Sequence, residues 1–316
     1  HLVNMDDYLF DPREIYGFAQ HPAAAEFVKE GKKVFNIKTA RGCTHRCTFC
    51  YRLMRGIRQH SVPYVISLMR HLYDNYNVGL FALDDELTTS RKDWVMQFCQ
   101  ALRGSGMKVL FRIYGARVDT VDRETLQALK AAGCIAIEYG FESGSQRMLD
   151  SMKKRATVAD NLRAATLTRE AGLLTTPATI IGMPGEDDES IEETLDFLKK
   201  CNIWPVSVSF ATAYPRTELY DYALRKGLIQ DEEAYIISLT NIWDFSLNLT
   251  DYPDAKVRGW RDYLLEQTED YYLKTHREYG AYLFKKLGLR RSGLAATVAE
   301  VYSKEGTRGV VARAAK

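Results

Sequence analysis

The sequence predicts an α/β fold, a partial (β/α)6 barrel of the TIM type with a helical appendage at its carboxyl end. Three observations carry that expectation. Six short apolar runs rich in Ile, Val and Leu alternate with helical segments between residues 33 and 226, the pattern of a parallel sheet with right-handed crossovers. No G-x-G-x-x-G turn follows the first run, as a doubly wound dinucleotide fold would require. Polar or glycine-rich residues recur just past the carboxyl end of every run, where a β/α barrel builds its mouth.

KVFNIKT opens the series at Lys33, and helical spacing of Val65, Leu68, Met69 and Leu72 marks residues 63–76. The runs GLFAL (79–83), MKVLFRIY (107–114) and CIAIEYG (134–140) precede helical patterns at 90–103, 122–132 and 157–171. TTPATIIG (175–182) and WPVSVSFA (204–211) precede helices at 188–201 and 217–226. The expected organisation is a lead-in segment over 1–33, the barrel over 34–227, and a lid-like connection with a helical region over 228–316. Tyr235, Trp243, Phe245 and Tyr252 suit either a lid over the mouth or a plain core connection, and a long helical pattern runs from Asp254 to Leu287. A chain of 316 residues, 46% hydrophobic, buries a barrel-sized core. Because it begins at His1, the sequence reads as a fragment with a region upstream removed.

The charge balance of 43 basic and 41 acidic residues gives a net +2 without long runs of one sign. That argues against a nucleic-acid partner. No apolar run approaches the roughly 20 residues of a spanning helix, and the amino terminus lacks a signal-peptide core. Six cysteines without a disulfide-like framework suit a reducing cytosol, so the expected location is cytoplasmic.

The chemistry centres on TARGCTHRCTFCY (39–51), with Cys43, Cys47 and Cys50 in the pattern C-x3-C-x2-C. One tight loop turns three thiolates toward a point and supplies no fourth. Protein-only [4Fe-4S] sites and structural zinc use four ligands, so an iron held here keeps a position open for a substrate or cofactor. The bland alternative is a zinc knot completed by His45 or a distant cysteine, in a binding or electron-transfer protein without catalysis. Cys99, Cys134 and Cys201 read as inert packed thiols. Around the expected mouth stand Asp84, Asp85 and Glu86, then Tyr114 and Arg117, Glu142 and Ser143, Gly182 to Glu186, and Tyr214 to Thr217. Each has a plainer counterpart: a loop start at 84–86, a helix cap at Glu142, Ser143 and Gln146, and a turn at 183–185. Arg112, inside its strand, needs a buried carboxylate if it faces inward.

The cysteine motif, with Phe49 before its last cysteine, resembles the signature of the radical S-adenosylmethionine (SAM) superfamily. Arg41, Gly42 and Tyr51 resemble its cobalamin-binding-type branch, as do LDDE (83–86), GFES (140–143), IIGMPGE (180–186) and YPRTELY (214–220). The resemblance covers about residues 34–227. It implies a [4Fe-4S] cluster on Cys43, Cys47 and Cys50, with SAM chelating the fourth iron. It implies SAM contacts from Phe49, Tyr51, Asp84, Asp85, Glu142, Ser143, Gly182 and Pro184. Arg112 and Arg117 join that cofactor-binding set, Arg112 paired with the SAM carboxylate or Glu142, and Tyr214 is the candidate catalytic residue. It further implies a small-molecule substrate and an external flavodoxin- or ferredoxin-like reductant. Cobalamin would be held by a region outside this chain. The reaction is then methyl transfer at an unactivated carbon or, without cobalamin, hydrogen abstraction leading to dehydration or rearrangement of a diol or sugar. A tRNA methylthiotransferase fits poorly, since the extra cysteines are scattered and the tail reads as helical. One departure stands out, Arg216 where the family usually reads glycine in Y-P-G-T-E-L-Y.

Overall fold

A computed structural model describes residues 5–12, 21–52, 54 and 56–276. After a 3-10 turn at Met5–Tyr8 come α1 (Ala24–Lys29), β1 (Lys33–Ile37) and the short strands β2 (Ala40–Arg41) and β3 (Arg58–Gln59). Four helix–strand steps follow: α2 (Val62–Tyr76) with β4 (Val78–Leu83), α3 (Lys92–Gly104) with β5 (Leu110–Ala116), α4 (Arg123–Ala131) with β6 (Cys134–Glu142), and α5 (Gln146–Ser151) and α6 (Val158–Glu170) with β7 (Pro177–Ile181). The chain closes with α7 (Asp188–Cys201), β8 (Ser207–Phe210), α8 (Glu218–Arg225), α9 (Glu232–Ser238) and α10 (Asp254–Thr275). Six strands form one sheet in the order β1-β4-β5-β6-β7-β8, every pair parallel. This is the expected partial barrel.

Local chemistry explains the helix starts. Ser61, Asp122, Thr157, Asp187 and Thr217 each accept a backbone N–H of the first turn of the helix that follows, satisfying donors that would otherwise be orphaned. The strand register sorts the two faces. Phe35, Phe81 and Phe111 align on one face, and Ile37, Leu83, Ile113 and Ile137 continue it two residues on. This face packs against Met69 and Leu72 of α2, Phe98 of α3 and Leu126 of α4 in the main core. On the other face, Val34 and Leu80 align, and the next interior row is Asn36, Ala82, Arg112 and Ala136. Phe27 and Ala24 of α1 fill the amino-terminal end of that interior with Val34, Leu80 and Ile135.

The sheet is open between β1 and β8, and each edge is covered by its own chain. Phe10 exchanges two backbone hydrogen bonds with Val34 on β1. On β8, Phe210 N–H donates to the Ile242 carbonyl at 2.9 Å, and Arg261 Nε donates to the Val208 carbonyl at 3.1 Å.

The chain divides into two compact units, residues 1–265 and 266–316. The sequence sets a boundary at 227, but residues 228–265 belong to the first unit. Leu249, Val257, Trp260 and Leu264 are buried there, Tyr235 donates from its hydroxyl to the Ala213 carbonyl, and Phe245 packs on Phe210. The connection after β8 is therefore packed core as well as loop. The part of the expected terminal helix beyond His276 lies outside the described residues.

Candidate active site

The cysteine loop leaves the sheet through the two-stranded ribbon β2–β3, paired Ala40 with Gln59 and Arg41 with Arg58. At its neck Gly42 has φ 86°, and a Cβ there would collide with the Gly56 carbonyl, so no side chain fits. Carboxylates after β4 hold this neck. Asp85, buried, accepts the Thr39 N–H at 2.7 Å, the Thr39 hydroxyl and the Ala40 N–H at 3.0 Å. Glu86 accepts the Gly42 N–H. Asp85 itself is held because β5 bends at Gly115, where a Cβ would strike the Asp85 carbonyl, and the Gly115 carbonyl takes the Thr88 N–H at 2.7 Å.

The strand ends bring only part of the predicted set together. Cys47 is buried, Cys43 half-buried and Cys50 exposed. The Cys50 thiol hydrogen-bonds to Cys47 and, aided by Lys154 and Arg117 and opposed by burial and Glu142, holds Cys47 down at about 6; Cys50 is pushed up in turn. The Cys43 sulfur accepts the His45 N–H at 3.5 Å. Burial, and then Arg117, lower the His45 imidazole. Glu142 follows a register shift in β6 with φ 61°, and this bulge turns its carboxylate into the mouth. There it meets Lys154 at 2.6 Å, both side chains about nine-tenths buried. Burial lowers Lys154, but Glu142 and Cys47 outweigh it, so the ammonium is held above its ordinary range. Arg117 pairs with Asp119 at 2.9 Å and donates to the Lys154 carbonyl at 2.8 Å, tying this turn to the end of β5.

Other predicted residues point elsewhere. The expected partnership of Arg112 with Glu142 gives way to a bond to Glu138 at 2.5 Å, because Arg112 and Glu138 lie on adjacent interior strands below the mouth. Burial raises the Glu138 carboxyl, with Arg112 opposing, and the guanidinium lies 4.2 Å from the centre of the Tyr114 ring. Ser143 is turned toward α7, its hydroxyl 3.1 Å from that of Thr194 and accepting the Ser145 N–H. Asp84 forms a half-exposed pair with Lys38 at 3.1 Å, and both Asp85 oxygens are taken by the loop neck. Asp85 therefore serves the loop neck, while Asp84, half-exposed, still presents a carboxylate.

Gly182 donates its N–H to Glu186 at 2.5 Å and Met183 donates at 3.0 Å. Burial of Glu186 raises its carboxyl to about 7 despite those two bonds. Pro184 is half-buried in the same turn. Met183 joins Met148, Met152, Ala213, Leu219 and Tyr220 in a second apolar cluster, against which Phe49 packs. Tyr51 is exposed, and Tyr214 is half-buried with no side-chain hydrogen bond among the described residues. Beside the loop opens a cleft of about 420 Å³ lined by Thr44, His45, Gln59, Ser90 and Thr120 among others.

Sequence reasoning passes over Lys154, Glu138 and the clamping role of Glu186. The signal for Lys154 is the basic run Lys153–Arg155 at the end of the fourth loop, where a solvated charge run is the ordinary reading. Among the described residues no three His, Cys, Asp or Glu side chains stand close enough together to hold a metal ion. The donor set nonetheless fits a thiolate-bound cluster. The Cys50 thiol, with Lys154 and Arg117 behind it, lowers Cys47, whereas burial raises Cys99 and Cys201 to about 12, and the buried Thr48 hydroxyl between Cys47 and Cys50 has no partner among the described residues.

A parallel half-barrel with a three-cysteine loop at its mouth defines the class, and comparison gives the family. The model of the radical SAM superfamily matches residues 37–198, half of the chain. The chain belongs to the radical SAM superfamily and is an enzyme of that type. It is 30% identical over 196 residues to an uncharacterised methyltransferase of Pyrococcus horikoshii, covering 61% of this chain and 42% of that protein. It is 29% identical over 238 residues to the anaerobic magnesium-protoporphyrin IX monomethyl ester cyclase of Cereibacter sphaeroides, covering 70% and 36%. The chain thus spans less than half the length of these relatives. Its fold is similar to that of the radical SAM methyltransferase TsrM from Kitasatospora setae, solved with cobalamin and a [4Fe-4S] cluster, with a TM-score of 0.55 at 21% identity over 61% of this chain and 37% of that one. No helix among the described residues is long and apolar enough to cross a membrane.

Proposed function

We propose that this chain is the catalytic core of an enzyme that functionalises an unactivated carbon of a small biosynthetic intermediate by methyl transfer, with cobalamin as a further cofactor. In this reading Cys43, Cys47 and Cys50 hold a [4Fe-4S] cluster, SAM takes the iron position left without a cysteine, and an external flavodoxin- or ferredoxin-like protein delivers electrons. When bound, cluster and SAM together supply the one-electron cleavage that makes an inert C–H reactive. The chain's own residues prepare the place. The Cys50 thiol first, then Lys154 and Arg117 with their positive charge, favour the Cys47 thiolate. Glu142 neutralises Lys154 so that this charge is held in a buried position. Asp85 and Glu86 fix the neck of the loop, and the cluster of Met148, Met152, Met183 and Leu219 with Phe49 excludes water from its inner side. SAM's amino group would be received by Asp84, whose pair with Lys38 is half-exposed, or by backbone carbonyls at the strand ends.

The single observation that carries the reading is a three-cysteine loop, clamped at its neck, against a buried Lys–Glu pair. The methyltransferase name of the P. horikoshii relative supports methyl transfer. The cyclase relative supports the second reading, cobalamin-independent hydrogen abstraction.

Anaerobically reconstituted protein is expected to hold about four irons per chain, lost in Cys43→Ala, Cys47→Ala or Cys50→Ala and kept in Cys99→Ala, Cys134→Ala and Cys201→Ala. Turnover with dithionite and SAM, with and without cobalamin, separates the two reactions by mass spectrometry of the nucleosides. Methyl transfer yields S-adenosylhomocysteine together with 5'-deoxyadenosine; the second reading yields 5'-deoxyadenosine alone. If neither nucleoside forms under any condition, the proposal fails.

A further inference from the structure

Six non-glycine residues among those described have positive φ. Asn77 and Asn202 end α2 and α7 as left-handed caps, a place asparagine tolerates. The other four are Glu142 at 61°, Lys153 at 53°, Arg155 at 54° and Arg216 at 69°, and all are ionisable. Three of them stand in the turn after α5 and the turn before α8, and the cysteine loop hydrogen-bonds to the former and to the first turn of α8. Thr48 donates its N–H to the Met152 carbonyl at 3.0 Å, and its carbonyl accepts the Leu219 N–H at 3.0 Å. A side chain held in left-handed backbone costs free energy that glycine would not, and such residues persist where the surroundings or the function require them.

The charges of two of the four are already matched within the protein. Glu142 pairs with Lys154, and Lys153 pairs with Glu218 at 2.5 Å. Arg155 and Arg216 are exposed and make no ion pair and no side-chain hydrogen bond among the described residues. The Arg155 carbonyl accepts from Arg117, whose guanidinium also reaches the Lys154 carbonyl beside Glu142. Arg216 is the residue that departs from the glycine of the resembling motif, and its φ of 69° shows why glycine suits the position. Thr217, and not Arg216, caps α8.

We infer that Arg216, together with Arg155, anchors an anionic group of the substrate, a carboxylate or a phosphate. This rests on the proposed mouth being where substrate enters. A guanidinium offers a planar fork of donors that matches either anion. Arg155 and Arg216 flank the two backbone bonds of Thr48, and Glu218 at the start of α8 is already matched by Lys153.

The test is residue-level labelling with phenylglyoxal on the reconstituted protein, with inorganic phosphate or acetate as the probe and chloride at equal ionic strength as the control. Phosphate or acetate is expected to slow labelling of Arg155 and Arg216 by about threefold or more, leaving the exposed Arg46 unchanged. Which anion protects identifies the group. In Arg216→Gly, protection of Arg155 should vanish, while the melting temperature rises by about 2–4 °C as the backbone relaxes. Arg216→Lys should keep the lower melting temperature and part of the protection. Unchanged labelling with both anions, equal slowing at Arg46, or a lower melting temperature for Arg216→Gly would overturn the inference. Iron and sulfide are measured on the same samples, so lost protection with iron retained rejects the anchor alone, whereas lost iron in the unsubstituted protein rejects the cluster reading.

Discussion

The two ends of this half-barrel solve the same geometric problem with different residues. At the amino-terminal ends of the strands, the turn into each strand passes through left-handed backbone on a glycine or an asparagine, from Gly31 before β1 to Asn202 before β8. The interior there is plugged by Phe27 and Ala24. At the carboxyl-terminal ends, left-handed backbone also falls on Glu142, Lys153, Arg155 and Arg216, and the interior gives way to the Glu142–Lys154 pair beside three cysteines. Where only a turn is needed, the chain uses residues that make it cheaply. Where chemistry is needed, it accepts strain to place a charge.

The sharpest break in that contrast comes from the mouth. Lys154→Met leaves Glu142 buried without its cation and is expected to cost about 4 kcal/mol in denaturant unfolding. The double change Glu142→Gln with Lys154→Met should recover most of it. A single variant as stable as the parent would mean that the pair is not buried in solution. At the other end, Phe27→Ala removes the plug and should cost about 3 kcal/mol while leaving reconstituted iron unchanged. Iron lost from this variant would show that the two ends are not independent.

A third measurement separates strain from burial. The Glu186 carboxyl, ordinarily near 4.5, is held at about 7 in the folded protein. Between those values the folded state keeps a proton that the unfolded chain has released, so stability falls as pH rises through that window, by about 3 kcal/mol in all. Glu186→Gln should flatten the curve measured between pH 4.5 and 7, and an unchanged slope would assign the pH dependence to another group.

Much of the fold was readable because six apolar runs each had a helix behind them. GLFAL is the body of β4 and CIAIEYG most of β6. The strands after α3 and α7 begin three residues later than the apolar runs do, at Leu110 and Ser207, since hydrophobicity does not mark where hydrogen-bonded pairing starts. The ribbon β2–β3 is two residues long on each side, too short for any periodicity. Within the site, the shared loop of the three cysteines was readable from spacing, because that loop is local. The directions of Asp85, Ser143 and Arg112 were not, since each is set by a partner far along the chain: Thr39, Thr194 and Glu138. Lys154 stayed hidden because nothing in the run Lys153–Arg155 distinguishes its buried member from its exposed neighbours.

The covered edges of the sheet bear on how the molecule behaves in a crowd. A barrel that does not close keeps two strands with outward-facing hydrogen-bonding groups, each a template on which another chain could build. Here Phe10 occupies Val34 on one edge, and Ile242 and Arg261 occupy Phe210 and Val208 on the other. The gap between β1 and β8 can therefore remain open toward solvent without seeding intermolecular sheets, and loosening either cover should show first as aggregation on concentration.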